Sequence, residues 1–493
     1  MRLPASIIFV FDALRRDMIT DELAPNLRDF IDGGSDFPSS RCVFPSVTRV
    51  NASALACGAA PGATGVVANK FYDATVFQDK VVHTGLYDHV QAAEQAYGGR
   101  FVSAVTLGDV LADQGRKLAV VSTGSAGTTH LLDPRAVKHG HVRLCLSDWR
   151  ASCPDSYAAD ILRRFGPVPP AATPNTQRIG LQTRIALEAV VPEVEPDVLV
   201  LWFSDPDSTY HSCGIGSPES REAILNVDRE FGRVLEVWRR ASDRDRCQIF
   251  VCSDHGQVTA RERIHVKQQM RESGLLTGTA LMHEQIFAGS TGYYGAIRVR
   301  GNDARETERL ARWLLAQPWC GHVFTPGGNG MLGSVPGTLD RAMLLLGVDR
   351  APDVYYTMRS DDARNAWDAP GTCFFDSSEV PEGGGVHGGL HVLEMNNLLA
   401  AQGSLFRSAY RSPWPAGLTD IVPTILHALE MPLPPTATGR VLGEALVERG
   451  FEPPAPQSSE LSAETGESRQ CVKLQRVGTT CYIDHGWVEG VRR

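Results

Sequence analysis

Four short apolar runs, SIIFVF (6–11), LAVVS (118–122), VLVLWF (198–203) and QIFVC (248–252), constrain the fold of this chain more than any other feature. Each is apolar at consecutive positions and bounded by polar or turn residues, as strands buried on both faces of a parallel sheet are. Amphipathic stretches lie between them, among them TLGDVLADQG (106–115), IGLQTRIALEAVV (179–191) and SREAILNVDREFGRVLEVWRR (220–240). The alternation predicts an α/β fold with a central, mostly parallel sheet and helices on both faces. At 493 residues the chain is long enough for such a core, a deep site and an insertion.

The texture changes after the fourth run. Gly/Pro-rich loops surround a strand, helix, strand pattern in YYGAIRVRG, ETERLARWLLAQ and HVFTPG. We therefore expect a core over 1–262 and 376–450 and an inserted α+β cap domain over 263–375. A polar, Pro/Ser-rich linker, FEPPAPQSSELSAETGES, followed by a terminal hairpin, should fill 451–493. The formal net charge of -9 disfavours duplex nucleic acid as a partner. The apolar run before Asp12 is too short for a signal segment or a membrane span, and the eleven cysteines contain no CxxC pair, so a cytoplasmic protein without a disulfide framework is expected.

In such folds ligands gather beyond the carboxyl ends of the strands, and there the chain places carboxylates and imidazoles. Asp12 follows the first run, Asp207 and His211 the third in DPDSTYH, and Asp254 and His255 the fourth in SDHG, while His387 stands in GGVHGGLH. Singly, each has an ordinary explanation as a cap, turn or surface residue. Together they are six N/O donors of the type divalent zinc takes, too many for one tetrahedral site and enough for two. Two ions about 4 Å apart suit phosphoryl chemistry.

Thr48, in FPSVTRVNASALACG, opens a helix-compatible run that ends at Gly58. A threonine there serves as an N-cap, and the same position favours an alkoxide and a bound phosphoryl group through the positive end of the helix dipole. Cys213 reads as a small buried or loop thiol, and His83, His89, His130, His139 and His141 as surface or structural residues, with substrate contact by one of them as the alternative.

The segments IIFVFDALRRD, FPSVTRVNASALACGAAPGATGVVANKFYD, DPDSTYHSCG, VCSDHGQ and GGVHGGLH, in that order, resemble the alkaline phosphatase superfamily over about 1–260 and 376–445. The threonine-centred segment is similar to its nucleotide pyrophosphatase/phosphodiesterase branch. The resemblance implies an alkaline-phosphatase-like fold and two divalent ions, Zn2+ or alternatively Mn2+. It assigns Asp12, Asp254, His255 and the nucleophile Thr48 to one ion, and Asp207, His211 and His387 to the other. Asn69 becomes the donor to a nonbridging phosphate oxygen, and Asp205 an acidic residue that binds no metal. A phospho-threonine forms and water resolves it. Threonine at 48, where sulfatases carry cysteine, argues against a sulfatase.

The superfamily also contains phosphonoacetate hydrolases that break a C–P bond and threonine-dependent phosphate monoesterases, which add basic residues after the next core strand. Here the matching stretch, VVSTGSAGTTHLLDP, has none before Arg135. A small anionic phosphoester carrying one charge, a diester, is therefore favoured over a phosphonate or monoester, with Arg49 and Lys70 as alternative cations. On this reading a lysine at Ser125 or Gly127 would shift preference toward monoesters. A phosphoryl transferase or mutase would use the same residues with a different acceptor, whereas a metal-free binding protein is disfavoured because every ligand position is competent.

Overall fold

All four apolar runs are strands of one eight-stranded sheet in the computed structural model. The structure describes residues 2–276, 286–291 (backbone only), 293–347, 349–448, 450, 452–466 and 468–490. Its parallel part comprises β1 (Ser6–Phe11), β2 (Leu118–Ser122), β3 (Val142–Cys145), β4 (Val198–Phe203) and β5 (Gln248–Cys252), in the spatial order β3-β2-β4-β1-β5. Leu399–Gln402 runs antiparallel along β5, and Ser35–Asp36 and Tyr410–Arg411 complete the edge.

The runs are continuously apolar because both faces are covered. Ile8, Val10, Val200, Trp202, Phe250 and Cys252 join one buried cluster with helix α1 (Thr48–Cys57). Ile7, Phe9, Phe11, Leu199, Leu201 and Phe203 join a second on the opposite face. There Phe231 of the helix Pro218–Arg240 packs edge-on against Phe9, Phe11 and Phe30 at ring separations of 4.9, 5.6 and 5.4 Å.

Within 263–375 the strand, helix, strand pattern is present as Tyr294–Val299, Ala304–Leu315 and Cys320–Thr325. These strands belong to a five-stranded sheet with two differently engaged faces. Ile297 and Val299 pack on the helix Ala304–Leu315, whereas Tyr294, Ala296, Phe324 and Tyr355 enter the same apolar cluster as α1. The segment is thus fused to the α1 side of the core by side chains of alternating direction. The C-terminal residues depart from expectation: part of the presumed linker is a strand, Gln457–Thr465, which pairs with Ser468–Val477 and through it with Thr480–Glu489. The Pro/Ser-rich composition misled because most of that edge strand is exposed and polar. Among the described residues no helix is long and apolar enough to cross a membrane.

Candidate active site

Register brings the carboxyl ends of β1, β4 and β5 level, with Phe11 opposite Phe203 and Val10 opposite Cys252. The loops then lock together. The Asp12 amide donates to the Phe203 carbonyl, the Asp207 amide to the Asp12 carbonyl, both at 3.0 Å, and the Ala13 amide to Asp254 Oδ1 at 3.0 Å. Asp207 and His211 lie on one turn-spaced face of helix α2 (Asp207–Cys213).

Two groups of ligand-type atoms result, in each of which all atoms lie within 4.8 Å of one another: Asp207, His211 and His387, and Asp12, Asp207 and His255. Asp254 stands beside the second, its Oδ2 3.2 Å from His255 Nε2. Asp207 belongs to both groups, its Oδ1 3.3 Å from His211 Nε2 and 3.6 Å from His387 Nε2. The His255 and His387 rings stack with centroids 3.8 Å apart, so the groups are contiguous. Among the described residues a third group, Asp133, His139 and His141, is held by a 2.8 Å hydrogen bond between Asp133 and His141.

The donor set fits divalent cations. Each imidazole donates through Nδ1 to a backbone carbonyl, His211 to Gly385 at 2.7 Å, His387 to Ser46 at 2.9 Å and His255 to Gly256 at 3.0 Å. With Nδ1 so engaged, every Nε2 is turned to the cluster, and a neutral ring offers its lone pair there. Asp12 Oδ1 and Asp254 Oδ2 are buried without a hydrogen-bond partner. Burial raises the Asp12 carboxyl, and repulsion from Asp254 and then Asp207 adds to it; burial raises Asp254 as well, against the opposing pull of His255 and the Ala13 amide. Burial opposes ionisation of Asp207 too, but His211, with His387 and His255, outweighs it and holds that carboxyl below the ordinary range.

Thr48 occupies the first turn of α1, and Val47 is the N-cap, which corrects the capping role expected for the threonine. Its hydroxyl instead lies 3.2 Å from His255 Nε2. Asn69 accepts the Arg49 amide hydrogen at 3.2 Å, which sets its side chain at the same helix end. Its own amide donates to the Tyr294 hydroxyl at 3.0 Å, a contact supplied from within 263–375. Asp205, fully buried, accepts from the Asn175 amide at 2.7 Å and the Thr209 hydroxyl at 3.0 Å, a scaffold role. His83 lines the cleft beside Thr48, whereas His130 pairs with Glu94.

Several supporting residues escaped the sequence reading. Trp202 Nε1 donates to Asp12 Oδ2 at 2.9 Å, and Gln257, inside the quoted VCSDHGQ, donates to Asp207 Oδ1 at 2.5 Å. Ser46 accepts the Gly388 amide at 3.0 Å and donates to the Gly389 carbonyl at 2.9 Å, strapping the His387 loop. Gly388, at φ +124°, leaves room only for Tyr294, since a Cβ there would lie 2.5 Å from the ring. The position proposed for an added lysine at Gly127 is closed as well: a Cβ would lie 1.6 Å from the Thr84 carbonyl.

Glu394 secures the same loop, accepting the Gly389 and His391 amides at 2.8 and 3.2 Å. Burial raises its carboxyl to about 7 despite those hydrogen bonds. A folded-state value above the ordinary 4.5 means its stabilisation is complete below that pH and is lost as pH rises through about 7. The melting temperature of the wild type should therefore fall relative to Glu394→Gln, by about 2–3 °C between pH 5.5 and 8.5 in calorimetry. A constant gap would mean that Glu394 does not titrate in this range.

A mostly parallel sheet whose carboxyl edge carries these carboxylate and imidazole groups defines the alkaline-phosphatase-like class. The chain belongs to the type I phosphodiesterase / nucleotide pyrophosphatase family, whose model matches residues 6–318. Ectonucleotide pyrophosphatase/phosphodiesterase family member 7 of Homo sapiens is 41% identical over 71 residues, 14% of this chain and 16% of that relative's length. Venom phosphodiesterase 2 of Crotalus adamanteus is 22% identical over 254 residues, 51% of this chain and 26% of the relative. Murine ectonucleotide pyrophosphatase / phosphodiesterase 5 shares the fold at TM-score 0.62 and 17% identity, covering 90% of this chain and 100% of that one. An inactive variant of that mouse protein has been solved in complex with AMP.

Proposed function

We propose that this chain is a phosphodiester hydrolase with two divalent ions, Zn2+ or Mn2+, in which Thr48 is the nucleophile. The observation that carries the reading is the placement of Thr48 Oγ1 at a helix start, 3.2 Å from His255 Nε2, beside two groups of buried and half-buried donors, one of which holds the orphaned oxygen of Asp12 with that of Asp254 next to it. Asp12, Asp254, His255 and Thr48 would hold one ion, and Asp207, His211 and His387 the other. When bound, such ions acidify the nucleophile and stabilise charge on the leaving oxygen. Thr48 attacks phosphorus in line, its alkoxide favoured by the start of α1. Asn69 donates to a nonbridging oxygen, a position fixed by Arg49 and Tyr294. Water then resolves the phospho-threonine.

Purified protein should hold about two divalent ions per chain, and chelation should abolish hydrolysis of a nitrophenyl diester until metal is restored. Elemental analysis giving one ion or none after saturation would sink the two-ion reading. The family and the AMP complex of the mouse relative support a nucleotide-like substituent. The alternative, a phosphonate or monoester, draws support from the cations beside Thr48, and comparing diester, monoester and phosphonoacetate turnover separates the readings. Addition of an acceptor alcohol distinguishes a transferase, which would yield a new ester.

A further inference from the structure

Two clefts meet at Thr48, and they differ in chemistry. One, about 400 Å³, is lined mainly by hydroxyl and amide side chains such as Thr123, Ser125, Thr128 and Asn175, with Arg178 held by the Pro169 carbonyl at its wall. The other, about 630 Å³, reaches His211 and His387 and is lined by Lys70, His83 and the ring of Tyr293. Arg49 faces both clefts.

Arg49 differs from the other arginines that line these clefts, Arg178 and Arg263, whose guanidinium groups donate to the Pro169 and Val380 carbonyls. Among the described residues no hydrogen bond or ion pair holds the Arg49 guanidinium, and its Nε is buried without a partner. Elsewhere in the fold, away from these clefts, Arg15, Arg41, Arg135 and Arg440 are each paired with a carboxylate. The guanidinium shares the space above Gly85 with His83: a Cβ on that glycine would lie 3.0 Å from the imidazole and 3.7 Å from the Arg49 guanidinium carbon. Lys70 is the cross-strand partner of His83. The carboxylate nearest to Lys70 is Glu379, 3.9 Å away and 78% exposed, a weak solvent-screened pair. Burial, then Arg49 and Lys70, drives the His83 imidazole down to about 4, as expected beside positive charge.

An unpaired, partly desolvated guanidinium is costly to keep. We propose that Arg49, with Lys70, forms a subsite for a second anionic group on the substrate, a carboxylate or phosphoryl group on a substituent of the attacked phosphorus. This rests on the hydrolase reading and adds to it. The absence of cations from VVSTGSAGTTHLLDP then describes the hydroxyl-lined cleft, while charge recognition is moved to the residue after the nucleophile. Arg49 is a binding residue here, with its planar donors matched to an oxyanion.

The test uses two nitrophenyl diesters that differ by one anion, p-nitrophenyl methyl phosphate and its carboxymethyl counterpart, on metal-loaded full-length protein. The wild type should prefer the carboxymethyl ester in kcat/KM, and Arg49→Ala should reduce that preference about tenfold, mainly through KM, with Arg49→Lys recovering part of it. Lys70→Ala, at a half-exposed strand position, should reduce it in the same direction and guards against misfolding of the Arg49 variants. Calorimetric titration of both esters into Thr48→Ala protein reads the same preference without turnover. Preference in binding but no hydrolysis of either ester would overturn the hydrolase reading and keep the subsite. A wild type indifferent to the carboxylate, or a preference that both variants leave intact, would overturn the subsite.

Discussion

Thr48→Ala is expected to lower turnover of a diester by about 10⁴-fold or more while two ions stay bound. The substitution removes one hydroxyl and nothing else from the donor groups, because the three imidazoles are oriented by backbone carbonyls and Asp254 by the Ala13 amide. Helix α1 should persist, since its N-cap is Val47 and no side-chain cap is lost. Acid quenching of the wild type during turnover should trap a phosphoryl group on Thr48, visible by mass spectrometry and missing in the variant. Thr48→Ser should retain part of the activity, with a less restrained rotamer. If Thr48→Ala slows the enzyme only about tenfold, water attacks phosphorus directly and the covalent step is wrong.

The strands around this site were readable because each obeys a local rule. A run such as VLVLWF is apolar at every position only when both faces are buried, and Trp202 and Phe203 indeed point into opposite clusters. The candidate ligands were readable because each sits at a fixed short distance past a strand end, where chain direction and register do the positioning. Partners that depend on distant chain segments left no local signal. Ser46 meets the His387 loop across 341 residues, and Tyr294 reaches Asn69 across 225. Gln257 was quoted within its motif, yet nothing in the spacing says that its amide turns toward Asp207 rather than solvent. The tail failed for another reason: composition scores Gln457–Thr465 as linker, whereas pairing with Ser468–Val477 makes it a strand.

Asp207→Ala is expected to cost about 10³-fold or more in kcat and to leave at most one ion after buffer exchange. At one position it leaves only two neutral imidazoles, His211 and His387, whose rings remain aimed by Gly385 and Ser46. Two such donors without a carboxylate hold a divalent ion poorly. At the other position Asp12, Asp254 and His255 remain, but a carboxylate that also belongs to their group is gone, so affinity there should fall as well. Asp12→Ala should act on one side only, because Asp12 groups with Asp207 and His255 and not with His211 or His387. Metal titration monitored by calorimetry should therefore show two weakened steps for Asp207→Ala and one for Asp12→Ala. Retention of two ions by Asp207→Ala, with activity within tenfold of the wild type, would remove Asp207 from its place between the two groups.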